Sequence, residues 1–381
     1  MQVFLIHGTS VTQDKAPVLE TLRLPEQGYL WLTCTRTQLA QMQGTLQAAL
    51  QRLCGMQLVD LHVSDLLNPQ LPSSYDYTSQ YDLLVFRRLA EANDEVESTV
   101  TASEPLRLPK RGGPPILRRI DTSAVSFVVF ERVLLTVHPA DCALRDSYAQ
   151  RLMNAGNAQT TEGVSPDSRS AGARGVPGSP ADLMLRIVNH IVDGFLALRR
   201  ELSRQLDHWQ TELINPKARF ANWRTLLDAR LALHQLDDIC DDQRTAVQDW
   251  LEAMKTWPDA DSPVTQHERD LLLVRSRDVL EHIERVVHHV RQLEQNAETA
   301  VQIHFNAQSH RTSEIMRTLT VLTAIFLPLN LIAAIFGMNF DFIPLLHRAN
   351  GFWLAVGTMG LIAGGLALFF WRKRYLERSA R

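Results

Sequence analysis

Cysteine is scarce and poorly placed for chemistry. Cys34, Cys54, Cys142 and Cys240 lie far apart with no CxxC pair, which excludes a zinc knuckle or a disulfide framework. They read as buried or idle thiols of a reducing compartment. Charge of one sign is not in excess either. Thirty-nine basic against 42 acidic side chains leave a net charge of −3, so a polybasic nucleic-acid binder is excluded. There is no Gly-rich phosphate loop, GxSxG elbow or HExxH. No nucleophile or acid–base pair stands out, so neither an enzyme nor a catalytic cofactor is expected. The opening MQVFLIHGTS has too short an apolar run, and no basic flank, for a signal peptide. It reads as a strand. Finally, 45% apolar and 21% charged residues exclude wholesale disorder.

What is there begins with a mixed α and β pattern over residues 1–153. Gln2–Ile6, Gly28–Cys34 and Tyr81–Leu89 have strand character, and Gln38–Leu53 is an amphipathic helix. Ala124–Glu131 and Arg132–His138 are two β-branched runs with almost nothing between them, which favours antiparallel pairing. The expectation is an α+β domain with a mainly antiparallel sheet, not a Rossmann layout. Residues 99–115 read as an exposed loop.

Residues 154–180 are rich in Gly, Ser, Pro and Ala and nearly devoid of bulky apolar residues, as expected of a flexible linker or insertion. Residues 181–263 then carry two long amphipathic helices. The first has Leu183, Ile187, Ile191, Phe195 and Leu198 in helical spacing, and the Asn215–Pro216 turn separates it from the second. From Val264 no proline or glycine occurs until Pro328. A helix over about 264–337 would be roughly 110 Å long if unbroken. Its part over 264–317 is a polar stalk with apolar residues at spacings of 3 and 4.

Charge is absent from two later stretches, residues 318–340 and 349–371, each of 23 residues. Either is long enough to cross a hydrocarbon core of about 30 Å. Two membrane helices, 318–340 and 351–371, are therefore expected, joined by a short external loop over 341–350. The mean hydropathy of −0.12 resembles that of a soluble enzyme only because it averages these spans with a large polar remainder. Arg311 and Arg317 precede the first span, and Arg372, Lys373, Arg374, Arg378 and Arg381 follow the second. The loop between them holds only Asp341, His347 and Arg348. This bias places both termini, with the basic tail 372–381, in the cytoplasm of a cell inner (plasma) membrane. Trp353, Trp371 and Tyr375 suit interfacial positions.

Two helices cannot enclose a pore, so conduction would require an oligomer. On the first span Ser313, Met316, Thr320, Thr323, Leu327, Asn330 and Ala334 follow one another by 3 or 4, the seam spacing of a helix bundle. Asn330 marks this seam, since a lone amide in an apolar span seeks a partner helix or water. It could equally hold helices together without conducting anything. Pro328 lacks a backbone donor and is expected to bend the span.

The span ends in Phe336-Gly337-Met338-Asn339-Phe340. Taken with RDVLEH at Arg277–His282, the run EIMRTLTVLTAIFLPLNLIAAIFGMNF, the GFW opening of the second span, the LLTVH strand end and the basic tail, the chain resembles the CorA family of two-span divalent-cation transporters. The resemblance implies a funnel-shaped homopentamer in the lipid bilayer, with divalent metal ions as ligands and no nucleic acid. It implies a selectivity filter at Gly337, Met338 and Asn339, with Ala334, Asn330, Leu327, Leu319, Met316 and Ser313 following inward. Leu319 comes from the resemblance, whereas the seam favours Thr320. Asp278 matches an acidic residue of the family's regulatory metal site, with Glu91, Asp94 and Glu95 as candidate partners by composition. Mg²⁺, with Co²⁺ and Ni²⁺, is the implied cargo. Two features point instead to a Zn²⁺ transporter of the ZntB branch, with proton coupling and downhill flux both open: FIPLL stands where many Mg²⁺-carrying members have MPEL, and the stalk holds His267, His282, His288, His289, His304 and His310. A membrane-anchored helical scaffold or sensor is the remoter alternative.

Overall fold

The computed structural model describes residues 1–8, 10–14, 17–90, 120–140, 142–158, 175–214, 223–257, 263–338 and 350–373. They fall into two compact units, Met1–Glu212 with Arg219–Glu298, and Leu213–Ala218 with Thr299–Arg381.

The first unit is built on a seven-stranded sheet. Its strands are β1 (Gln2–His7), β2 (Ser10–Asp14), β3 (Tyr29–Thr35), β4 (Ser74–Tyr77), β5 (Asp82–Leu89), β6 (Thr122–Val129) and β7 (Val133–His138), in the order β2-β1-β3-β7-β6-β5-β4. All neighbours are antiparallel except β3 and β7, which run parallel from Leu30↔Val133 to Thr35↔His138. The expected β6–β7 hairpin is present, with Val129 opposite Leu134. One parallel pair makes the sheet mixed, and it is central. Every residue of β3 and β7 is buried, as apolar runs with both sheet faces covered require.

Alternation along β3 sorts its side chains between two layers. Leu30, Leu32 and Cys34 join a core with Leu39, Leu46 and Leu50 of helix α1 (Arg36–Cys54) and Val63 and Leu66 of α2 (Asp60–Leu67). Trp31 points the other way, stacked on Phe4 at 4.6 Å and edge-on to Tyr148 of α3 (Ala143–Ala158) at 6.4 Å. Thr35 starts α1 with a capping box, its hydroxyl accepting from the Gln38 amide at 3.1 Å. Gly28 precedes β3 at φ 88°, where a Cβ would lie 2.0 Å from the Ile6 carbonyl oxygen, so only glycine fits.

α3 reaches Ala158, into residues expected to be linker. The far end of that stretch is also tied down. The Tyr29 hydroxyl donates to the Pro177 carbonyl at 3.1 Å, and Ser179 accepts from the Asp182 amide at the start of α4 (Pro180–Ile214). The loop expected at 99–115 lies outside the described residues. α5 (Trp223–Lys255) and the first part of α6 (Pro263–Phe336) complete the unit. On α6 the residues Leu272, Ser276, Val279, Ile283, Val286, Val290, Leu293 and Ala297 are buried, a stripe at the 3–4 spacing of a packed helix. The second unit holds the rest of α6 and α7 (Gly351–Arg372).

Candidate functional site

Polar pins fix the first part of α6. Trp250 Nε1 donates to the buried Ser276 hydroxyl at 3.0 Å. Asp182 pairs with both Arg186 and Arg275, joining α4 to α6. Arg291 bridges to Asp237 at 3.0 Å and Asp241 at 3.4 Å on α5, and His289 Nε2 lies 2.7 Å from the Ser203 hydroxyl of α4.

Beyond residue 300 the character of α6 inverts. Among the described side chains there, only Val321 is buried. Ile315, Met316, Leu319, Leu322, Phe326, Leu327 and Leu331 are each more than half exposed. α6 and α7 are the two described helices long and apolar enough to cross a membrane. Leaving so many large apolar side chains in water would be costly, so these surfaces need lipid or partner helices.

Ser313, Met316, Leu319, Thr320, Thr323, Leu327, Asn330 and Ala334 all lie on this part of α6 and all are exposed. At about 100° per residue they occupy a sector of roughly 120°, so one helix face presents both Leu319 and Thr320. Thr320 and Thr323 donate their hydroxyl protons back to the carbonyls of Met316, at 2.8 Å, and Leu319, at 2.9 Å. Their oxygen lone pairs remain as acceptors. α6 continues through Pro328 without interruption; the missing amide deprives the Ala324 carbonyl of its usual intrahelical donor. Gly337 closes the helix, its amide 2.9 Å from the Ala333 oxygen, and a Cβ there would approach that oxygen to 3.2 Å. Met338 follows, half exposed. Asn339, the loop residues Asp341, His347 and Arg348, and the tail from Arg374 lie outside the described residues.

Asp278 is on α6, largely exposed, with one carboxylate oxygen 3.8 Å from His282 Nε2 one turn on. Glu91, Asp94 and Glu95 lie outside the described residues. Of the six histidines, His289 is held by Ser203 and His282 faces Asp278, whereas His267 and His310 are exposed. Among the described residues no three His, Cys, Asp or Glu side chains gather as a metal site.

The sequence reading passed over His138. It is 2% exposed and lines a small cavity with Trp31, Phe127, Thr136, Cys142 and Tyr148. Nδ1 donates to the Pro139 carbonyl at 2.8 Å, and Nε2 has no hydrogen-bond partner among the described residues. Burial, helped by Arg145 and Arg36, pushes its pKa down to about 4 although the Pro139 bond opposes this.

The chain matches the family described as "CorA-like Mg2+ transporter protein" over residues 26–374. It is 24% identical over 194 residues to the cobalt/magnesium transport protein CorA of Thermotoga maritima, covering 51% of this chain and 52% of that protein. It is 34% identical over 104 residues to the magnesium transport protein CorA of Haemophilus influenzae, covering 27% and 33%. The chain thus spans about half the length, or less, of these curated relatives. The complete structure of the CorA magnesium transporter from Methanocaldococcus jannaschii superposes with a TM-score of 0.67 over 97% of both chains at 16% identity, and so shares the fold.

Proposed function

The chain belongs to the CorA-like Mg²⁺ transporter family, and from that premise we propose that it is a divalent-cation channel or transporter of the inner (plasma) membrane. Five copies surround a central pore formed by the last part of α6, and both termini are cytoplasmic. The observation that carries this reading is the exposed seam from Ser313 to Ala334, where hydroxyl and amide groups interrupt a helix that is apolar and, from Thr318 on, uncharged.

At the outer end a ring of Asn339 amides, set by the helix end at Gly337 and Met338, is the selectivity filter. Its neutral oxygens accept hydrogen bonds from the water shell of the ion. Mg²⁺ loses its waters reluctantly, so recognition through the shell avoids most of the dehydration cost. Asn330, Thr323 and Thr320 offer further acceptors along the path. Leu327, Leu319 and Met316 form apolar rings that close the pore by dewetting. Asp278 contributes to a regulatory metal site whose occupation favours the closed state.

Mg²⁺ is the cargo in this reading, with Co²⁺ and Ni²⁺ as other substrates. A Zn²⁺ carrier of the ZntB type is the second reading, favoured by the FIPLL loop without glutamate and by the histidine-rich α6. Flux of Mg²⁺, Co²⁺, Ni²⁺ and Zn²⁺ into proteoliposomes, with and without a pH gradient, tests both. Mg²⁺ flux indifferent to the gradient is expected; Zn²⁺ flux driven by the gradient would favour the second reading, and no flux of any ion would overturn both.

A further inference from the structure

The small cavity lined by His138 lies wholly in the first unit, and the transport reading makes no use of it. Its volume is about 20 Å³, room for roughly one water molecule, so neither an organic ligand nor a cation with its water shell fits. The rings of Trp31, Phe127 and Tyr148 surround two metal-ligating side chains, His138 and Cys142. Both are 2% exposed. Residues four apart in sequence reach one cavity because β7 ends at His138 and α3 begins at Ala143. Each side chain is prepared for a metal. Nδ1–H of His138 is held by the Pro139 carbonyl at 2.8 Å, which fixes the tautomer and leaves the Nε2 lone pair without a hydrogen-bond partner among the described residues. An imidazole oriented in this way by a backbone carbonyl is in the state that binds metals. Cys142 forms no disulfide. It stands at the N-terminus of α3, its carbonyl accepting from the Asp146 amide at 3.2 Å, and the helix dipole there favours a thiolate. No third His, Cys, Asp or Glu joins the pair among the described residues. The Thr136 hydroxyl is engaged with Trp31 Nε1 and the Leu32 carbonyl.

We propose that His138 Nε2 and Cys142 Sγ form a two-coordinate site for a soft monovalent cation, Cu⁺. The site is distinct from any path of a transported dication and does not depend on the transport reading. Ligand type selects the ion first. A thiolate with an imidazole is a soft donor pair that suits Cu⁺, whereas Zn²⁺ asks for four ligands and finds two here. Charge selects the same way. The guanidiniums of Arg36 and Arg145 both act on His138, opposed by Asp146. A dication bound by one thiolate would leave a further positive charge beside them in a buried setting. Cu⁺ does not. As it binds, the S–H bond of Cys142 breaks, the S–Cu and Nε2–Cu bonds form, and the proton leaves to solvent with the oxidation state of copper unchanged. The charge of the buried site is therefore the same before and after. Binding also ties the end of β7 to the start of α3.

The test is anaerobic competition for Cu⁺ between bicinchoninate and the full chain in detergent, in a Cys54→Ser parent that removes the one thiol not fully buried. The parent is expected to take one equivalent. His138→Gln and Cys142→Ser are each expected to bind at least about tenfold more weakly, with Cys34→Ser and Cys240→Ser binding as the parent does. Copper K-edge X-ray absorption of the loaded parent needs no substitution at the site, and a nearest shell of one nitrogen and one sulfur is expected. Undiminished affinity in either His138→Gln or Cys142→Ser, an all-sulfur shell, or no Cu⁺ taken from the competitor would overturn the inference. Excess Zn²⁺ is expected to leave the copper in place, and its displacement would contradict a two-ligand site.

Discussion

Asn330 lies between Leu327 and Ala334 on the exposed seam of α6, where a lipid-facing amide would be costly. If it lines a wet axis, Asn330→Leu replaces a ring of acceptors by a further dewetting ring. Flux should then fall by about tenfold or more while the subunits stay assembled, as size-exclusion chromatography in detergent would show. Loss of assembly with flux per assembled particle unchanged would mean that Asn330 only holds helices together. His138 sets a different expectation, on stability. Its pKa falls from 6.5 to about 4 on folding, so the unfolded chain binds the extra proton more readily. Stability is then fully present above pH 6.5 and is lost as pH falls toward 4, by at most about 3 kcal/mol. Hydrogen exchange of β7 should accelerate over that window, and His138→Leu should flatten the dependence. An unchanged pH profile in the variant would remove His138 as its cause.

At the scale of elements, α6 combines two helices in one run. Up to Ala297 its stripe is buried and pinned by Ser276, Arg275 and Arg291; beyond residue 300 Val321 alone is buried among the described side chains of α6. Asp182 is the most consequential pin, because two guanidiniums depend on one carboxylate that is only 13% exposed. Asp182→Asn should therefore cost about 2 kcal/mol, read as a lower unfolding midpoint of the full chain in detergent. An unchanged midpoint would show that the Arg186 and Arg275 side chains find other acceptors. The sequence made α6 legible because 64 residues pass without proline or glycine, from Val264 to Leu327. It also revealed β1, β3, β5, β6, β7 and α1 to within a residue or two. It did not reveal β2, α2, β4 or α3. β2 (SVTQD) and β4 (SYDY) are short polar edge strands formed by pairing with β1 and β5 rather than by their own propensity. The parallel β3–β7 pair was equally hidden, because its partners lie about a hundred residues apart and nothing local encodes the register.

The whole molecule explains why bulk composition misleads. Its charges are nearly balanced and its mean hydropathy is −0.12, yet the two uncharged stretches fall on α6 and α7, whose apolar surfaces are exposed in the single chain. Those surfaces are satisfied together if lipid covers one side of each helix and further copies cover the other. The seam was legible because a helix repeats its face every 3 or 4 residues. His138 was not, since its setting is made by strands and helices distant in sequence. The decisive measurement is cation flux into proteoliposomes for the unmodified chain and Asn339→Ala, each confirmed as the same oligomer by native mass spectrometry. An axial amide filter predicts flux in the first, with loss of ion discrimination or of flux itself in the second. Indistinguishable flux and selectivity in two intact assemblies would contradict it.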